Sequence, residues 1–503
     1  MTAVTALLVA SVSFTSLLGT LLGYDIGIMS GAIVFLAKDL SLSTWQAEVV
    51  VGSLNLVSAF GALLVGSFAD RFGRRAAICL ANALFVVGTL TVVLSHSFPV
   101  VLWGRILMGF GVGCGLVVGP LYTAELSPPD RRGMFTSLFE VSIGTGILLG
   151  YLVAYLCRDM TLQVGWRVMI GCGAVPPLVL LLFLAGLPES PRFLWAVGRR
   201  QQAREVLQRV MDPAEVEACC GEIEASVLAA AAPRDALRAL LCPSTRGVRL
   251  MVLVALGLTL SQQANGSEAV VYYMPTVLQD GGVRGCDGLL AFSPSRQANG
   301  SEGPVYYMLP ILQGTQGAEH GADVRGCDAL LGFTVLVGVF RTLAILVGAL
   351  LVDRVGRRPL LLASTAGVAA SLALLAAGLW RSTLWLTLLG LCGFMGAYAV
   401  GIGPLNMVVI SEMFPFRLRA VAMSLALFLN RLVSGAVATS FLSLTEMLSA
   451  AGTFLLFATI ASLSCLFVLL RVPETRGRSL EEMEAYFEQL AGERSYLNPL
   501  LKK

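Results

Sequence analysis

The sequence predicts an all-α membrane protein: twelve transmembrane helices in two six-helix halves, joined by a cytoplasmic helical linker. Composition, the spacing of apolar runs and an internal repeat lead there. Of 503 residues, 56% are hydrophobic and 13% charged, with a mean hydropathy of +0.78. A soluble domain carries roughly 25% charged residues. The net charge of +3 is too small to suggest nucleic acid as a partner. The eleven cysteines are scattered, mostly singly, through apolar stretches without metal or disulfide spacing, and are read as small core residues. The N-terminal run lacks a basic leader and outlasts a signal-peptide core, so it is taken as a retained first span.

Apolar runs of roughly 17–25 residues suffice to cross a bilayer as helices. They recur at 6–36, 47–69, 76–95, 98–125, 134–157, 165–187, 248–279, 328–352, 359–380, 383–412, 418–446 and 450–471. Cations alternate between the loops. Arg71, Arg74 and Arg75 share one, Arg131 and Arg132 the next but one, and the long segment 188–247 follows. Then come Arg354, Arg357 and Arg358, Arg417 and Arg419, and a mixed-charge tail. The positive-inside rule puts these loops and both termini on the cytoplasmic side. The expected organisation is a first half at 1–190, a helical linker at 191–247, a second half at 248–475 and a tail at 476–503.

The halves repeat each other. "ADRFGRR" (Ala69–Arg75) returns as "VDRVGRR" (Val352–Arg358), "AELSPPDRRG" (Ala124–Gly133) as "SEMFPFRLRA" (Ser411–Ala420), and "PESPR" (Pro188–Arg192) as "PETRG" (Pro473–Gly477). All offsets lie between 283 and 287 residues, so one six-helix unit has been duplicated. Halves related in this way rock about a site near the middle of the membrane. A second repeat is local: "QANGSEAVVYYMPTVL" (Gln263–Leu278) returns as "QANGSEGPVYYMLPIL" (Gln297–Leu312). The first copy continues an apolar run and is expected to complete the seventh span. The second lacks such a run and carries Pro304 and Pro310, so it is expected in an exoplasmic segment at about 293–326. A duplicated exon or an error in gene structure accounts for the repeat equally well.

Within the first run, "GYDIGIMSG" (Gly23–Gly31) contains Asp25. A carboxylate in a bilayer is costly and persists where it faces a cavity or a partner. Arg105, in "WGRILMGFGVG", is the only basic residue of the fourth span. Burial raises a carboxyl's pKa and a nearby cation lowers it, and alternation between the two makes a proton carrier. A fixed buried ion pair is the competing role.

With its motifs in place, the chain resembles the sugar porter family of the major facilitator superfamily, from about residue 15 to 490. It looks most like the plant-type polyol and monosaccharide proton symporters. "GYDIGIMSGA", "PLYTAELSPPDRRG", "LPESPRFL", "LLVDRVGRRPLLL" and "PETRGRSLEEMEAYF" carry the likeness. The resemblance implies that Asp25 and Arg105 couple protons to transport. It places the solute against Gln262, Gln263, Glu268, Tyr272 and Tyr273 on the seventh span, Glu140 on the fifth, Met407 on the tenth and Asn430 on the eleventh. Met407 stands where the family commonly has Trp, and Glu140 and Glu268 add carboxylates to a pocket usually lined by amides. Amide side chains suit a polyol, whose hydroxyls both donate and accept. The resemblance also implies a cytoplasmic gate of Asp70, Arg74, Glu125, Arg131 and Glu189, mirrored by Asp353, Arg357, Glu412, Arg419 and Glu474. Purely orienting arginines are the simpler alternative.

The expected function is secondary active transport of a polyol or monosaccharide coupled to protons, with a facilitative uniporter and a non-transporting sugar sensor as alternatives. The partners are a small neutral polyhydroxylated solute, protons and the lipid bilayer, for a monomer in the plasma membrane or in a vacuolar or other internal membrane. No cofactor or metal is expected. There is no nucleophile–base pair or nucleotide loop, and the only histidines are His96 and His320, so an enzyme is not expected.

Overall fold

The computed structural model describes residues 3–127, 132–211, 216–217, 219–221, 223–224, 238–243, 245–281, 328–476 and 480–497. The first half contains α1 (Ala3–Asp39), α2 (Thr44–Phe72), α3 (Arg74–Val93), α4 (Phe98–Leu126) and α5 (Arg132–Leu156). Its sixth span is α6 (Leu162–Gly171) and α7 (Val175–Phe183), separated by a tighter turn ahead of Pro176 and Pro177. The linker contributes α8 (Pro191–Ala196) and α9 (Arg200–Val210). The second half holds α10 (Arg246–Gln263), α11 (Ser267–Tyr272), α12 (Met274–Asp280), α13 (Asp328–Val355), α14 (Arg357–Trp380), α15 (Leu384–Val400), α16 (Ile402–Met413), α17 (Phe416–Ala438) and α18 (Phe441–Arg471). The tail forms α19 (Leu480–Leu497). Twelve stretches, from Leu7–Asp39 to Phe441–Arg471, are long and apolar enough to cross a membrane, and no strand occurs among the described residues. The twelve-helix reading of the sequence stands.

Glycine sets how closely the helices approach. Lipid tails are as apolar as leucine, so helices in a membrane associate through close packing and hydrogen bonds. On α1, Gly19, Gly23, Gly27 and Gly31 recur every fourth residue and face α5. A side chain on Gly23 would lie 2.0 Å from the Ile143 carbonyl oxygen, so only glycine permits this contact. On α4, Gly113 meets the Ser58 carbonyl of α2 in the same way, at 2.1 Å. These crossings bring Asp25 on α1 and Arg105 on α4 to fixed positions beside α2.

Like the sixth, the seventh and tenth spans are interrupted where the sequence predicts single helices. The seventh breaks after Gln263, at Gly266, whose φ of +81° a residue with a side chain rarely adopts. Asn265 stitches the break, donating to the Ser261 carbonyl and accepting from the Ser267 N–H. The tenth breaks at Gly401, where Ser364 donates to the Ala397 carbonyl and accepts from the Ile402 N–H. Interrupted helices at these depths are tolerated when their backbone groups find partners, and they supply polar surface for a solute. α17 ends at Ala438 and α18 starts at Phe441, but Ser449, with φ of +65° and ψ of 161°, breaks α18 into two helical stretches at the place where the apolar runs divide the eleventh span from the twelfth.

The halves meet along α2 with α17 and α18, and along α5 with α13. Thr439 fills the space a side chain on Gly52 would need, and Leu56 that of Gly435. Near the start of α2, the buried Glu48 carboxylate accepts from both the backbone N–H and the hydroxyl of Ser443. The second-copy segment at about 293–326 lies outside the described residues.

Candidate functional site

Asp25 and Arg105 form a direct ion pair. Arg105 donates from Nη1 to Asp25 Oδ1 at 2.6 Å, and the residues are 0% and 2% exposed, Arg105 and Asp25 respectively. Two further donors of Arg105 reach the carbonyls of Val50 and Val51 on α2. Asp25 Oδ2 is buried and has no hydrogen-bond partner. The pair is thus anchored through its cation and leaves one carboxylate oxygen without a hydrogen-bond partner.

A polar cluster lies between the broken seventh span and α16 and α17. Gln262 donates to the Gly403 carbonyl at the break of the tenth span, and its Oε1 accepts from Asn406 and from Asn430. Gln263 donates to Asn430 Oδ1 at 3.1 Å and accepts from Ser267. Arg431 donates to Glu268 Oε1 and Asn430 Oδ1, each at 2.7 Å. Asn55, from the first half, donates to Glu268 Oε2 at 2.7 Å and reaches Ser434 and Tyr272, while Ser434 also donates to Glu268. Amides, one ion pair and hydroxyls from both halves thus converge: the donors and acceptors that a polyhydroxylated molecule requires.

The structure gathers Gln262, Gln263, Glu268, Tyr272 and Asn430 from the sequence reading. Met407 is half-buried on α16 next to Asn406. Glu140 stands apart on α5 with an exposed side chain, within electrostatic reach of Arg341 and Arg431. Tyr273 is turned elsewhere. Its hydroxyl donates to the Ala438 carbonyl and its ring stacks on Phe441 with centroids 5.1 Å apart, so it packs the seventh span against the end of α17 and the start of α18. Adjacent residues on a helix point about 100° apart, and only one of the two tyrosines can face the cluster.

The arginine-bearing ends of the halves are built alike. Arg74 donates to Glu125 from two nitrogens and pairs with Asp70. Glu189 accepts from the backbone N–H groups of Arg74 and Arg75 at the start of α3, where a helix favours negative charge. In the second half Arg357 donates to Glu412, and Glu474 accepts from the N–H groups of Arg357 and Arg358. Gly73 and Gly356, with φ of +97° and +103°, make the same turn before each helix. Burial pushes the Glu474 carboxyl up. The N–H groups of Arg476, Arg357, Arg358 and Thr475 outweigh it and hold the carboxyl below the usual carboxylate range. Each of these ion pairs lies within one half. Arg419 is half-buried; Arg131 and the side chain of Asp353 lie outside the described residues.

Sequence reasoning missed Asn55, Ser434, Asn406, Arg431 and Arg341. The two arginines carried a visible signal, a cation inside an apolar run. Small polar residues such as Asn55 and Ser434 are common in spans and gave none.

The described fold and this cluster at the meeting of two halves define a solute transporter, and the comparisons with known proteins agree. The sugar (and other) transporter family model matches residues 11–291 and 322–487, and the chain belongs to that family. The Arabidopsis thaliana protein named "Probable polyol transporter 4" is 38% identical over 483 residues, covering 94% of this chain and 84% of that one. Polyol transporter 5 of the same plant is 35% identical over 499 residues, covering 94% and 84%. Among solved structures, the E. coli xylose transporter XylE in a partially occluded inward-open conformation superposes with a TM-score of 0.76 at 24% identity, covering 95% of this chain and 100% of that one. The proton:xylose symporter XylE bound to 6-bromo-6-deoxy-D-glucose gives a TM-score of 0.75 at 25% identity, covering 96% and 99%.

Proposed function

We propose that this protein carries a polyol or monosaccharide across a membrane together with a proton, by alternating access. The observation that carries the coupling is the buried Asp25–Arg105 pair with one carboxylate oxygen unpartnered. A proton arriving at Asp25 Oδ2 neutralises the carboxylate and weakens its hold on Arg105. The guanidinium remains on the Val50 and Val51 carbonyls, so the loosened pair frees α1 to move against α2 and α4. One helical turn from Val51, Asn55 grips Glu268 in the second half. Glu268 is joined to Arg431 and, through Asn430, to Gln263 and Gln262. Proton binding at α1 and solute binding at the cluster therefore act on the same helix, α2, and each biases its position.

The solute is held by Gln262, Gln263, Asn430 and Glu268, with Tyr272 and Met407 beside them. The names of the relatives support a polyol or sugar as cargo. A proton moving down the membrane field gains roughly 2.3 kcal/mol per 100 mV, enough to concentrate a neutral solute severalfold. The charged clusters around Arg74 and Arg357 are assigned to closure of the cytoplasmic side, and Glu48 with Ser443 to closure of the other. The test is uptake into proteoliposomes of a panel of labelled polyols and sugars, with pH gradient and voltage varied independently. Accumulation that follows the proton gradient supports symport. Equilibration unaffected by that gradient makes the protein a uniporter.

A further inference from the structure

Arg341, and Glu140, which the family resemblance sets against the solute, have no part in the mechanism above and lie within electrostatic reach of each other. Arg341 lies within the eighth span, α13, a costly place for an unpaired cation. Its Nε and Nη1 are buried and have no hydrogen-bond partner. Across the interface, Glu140 on α5 is exposed and makes no hydrogen bond or ion pair among the described residues. The two helices touch beside both groups. Thr342, next to Arg341, donates to the carbonyl of Gly144, one turn beyond Glu140, and Ile345 fills the space a side chain at Gly144 would need. Arg431 is already engaged by Glu268 and Asn430. Arg341 and Glu140 are thus an unmet donor and an unmet acceptor of opposite charge, one on each half.

We propose that Glu140 and Arg341 form a clamp completed by the solute, in which neighbouring hydroxyls donate to the carboxylate and accept from the guanidinium. A guanidinium only donates and a carboxylate only accepts, whereas a hydroxyl does both, so a vicinal diol fits between them. Bound there, it ties α5 to α13 and links solute occupancy to the relative position of the halves. The two charges cancel, so the clamp also selects neutral solutes. This rests on the polyol or monosaccharide reading above and adds Arg341 as a specificity-determining residue.

The experiment is equilibrium binding to the purified full-length protein in lipid nanodiscs. Its probes are a hexitol, the aldonate of the same carbon number and the corresponding amino-hexitol. Wild type is expected to prefer the hexitol. E140Q leaves Arg341 uncompensated, so it should lose at least tenfold in hexitol affinity and shift preference toward the aldonate. R341Q should lose as much and shift toward the amino-hexitol. E140Q combined with R341Q balances charge again and should show weakened hexitol binding without either shift. If a single variant does not fold, the double variant decides, and hexitol binding at wild-type affinity there overturns the clamp. Single variants with unchanged affinity and preference overturn it too, and wild-type symport of the hexitol in proteoliposomes would then leave the transport reading intact. A wild type that prefers either charged probe overturns the clamp together with the neutral-solute part of that reading.

Discussion

The arginine–carboxylate pairs Asp25–Arg105 and Glu268–Arg431 sit deep in the spans, and their surroundings differ. Asp25–Arg105 lies wholly in the first half, and Asp25 Oδ1 and Arg105 Nη1 are in direct contact, the cation's other hydrogen bonds among the described residues going to backbone carbonyls. Glu268–Arg431 lies in the second half, and both Glu268 oxygens are shared with Asn55, Ser434 and Gln263. Removing one charge from a buried pair strands the other. In the first pair no other side chain among the described residues hydrogen-bonds to either partner. In the second, amides and hydroxyls stand ready to redistribute. That contrast is why the proposed proton switch is set at the first pair and the proposed recognition of hydroxyls at the second.

The largest effect that separates the two pairs is expected at the first. Asp25→Asn fixes the neutral form, so uphill accumulation in proteoliposomes should disappear while counterflow of solute survives. Arg105→Ala should abolish both, because it leaves a buried carboxylate without its cation. Uphill accumulation by Asp25→Asn would place proton coupling elsewhere. At the second pair, Gln262→Ala, Gln263→Ala and Asn430→Ala should each raise KM by roughly 10- to 100-fold, since a polar group left unpaired costs about 1–3 kcal/mol. Their kinetics should keep the wild-type dependence on the pH gradient. If all three variants keep the wild-type KM, the solute binds away from this cluster.

A smaller effect concerns the arginine-bearing ends. The Glu125 side chain is 6% exposed and that of Glu412 29% exposed. Glu125→Gln should therefore shift the protein toward the inward-facing state more than Glu412→Gln, as read by cysteine labelling from each side. Equal or absent shifts would reduce these clusters to topology signals. Met407→Trp should reorder preference among solutes by a few-fold with little change in turnover, measured in the same uptake panel. The smallest effect is one of pH. Glu474 has a carboxyl held below its ordinary 4.5, so its stabilisation is present above that value and fades only as pH falls through the lowered one. Labelling of this end in detergent should be flat from about pH 5 to 8. A transition inside that window would assign the titration to another group.

The twelve spans and the duplication were legible because both are written as long, repeated patterns. Each apolar run must match the bilayer, and each motif returned at a common offset. Asp25 and Arg105 were legible as charges inside such runs, and Arg341 and Arg431 showed the same mark. The structure added what no local pattern carries. Asn55 is an ordinary polar residue of the second span until packing against α17 brings it to Glu268. Tyr272 and Tyr273 look interchangeable in sequence, yet the helix turns one to Asn55 and the other to Phe441. The break at Gly401 depends on Ser364, which lies far along the chain, whereas the break at Gly266 is stitched locally by Asn265. Sequence alone thus determined which segments enter the membrane and how the halves correspond, because those follow from hydrophobicity and repetition along the chain. Which polar groups meet was decided only by tertiary structure, because helix rotation and close glycine packing set the distances between residues far apart in sequence.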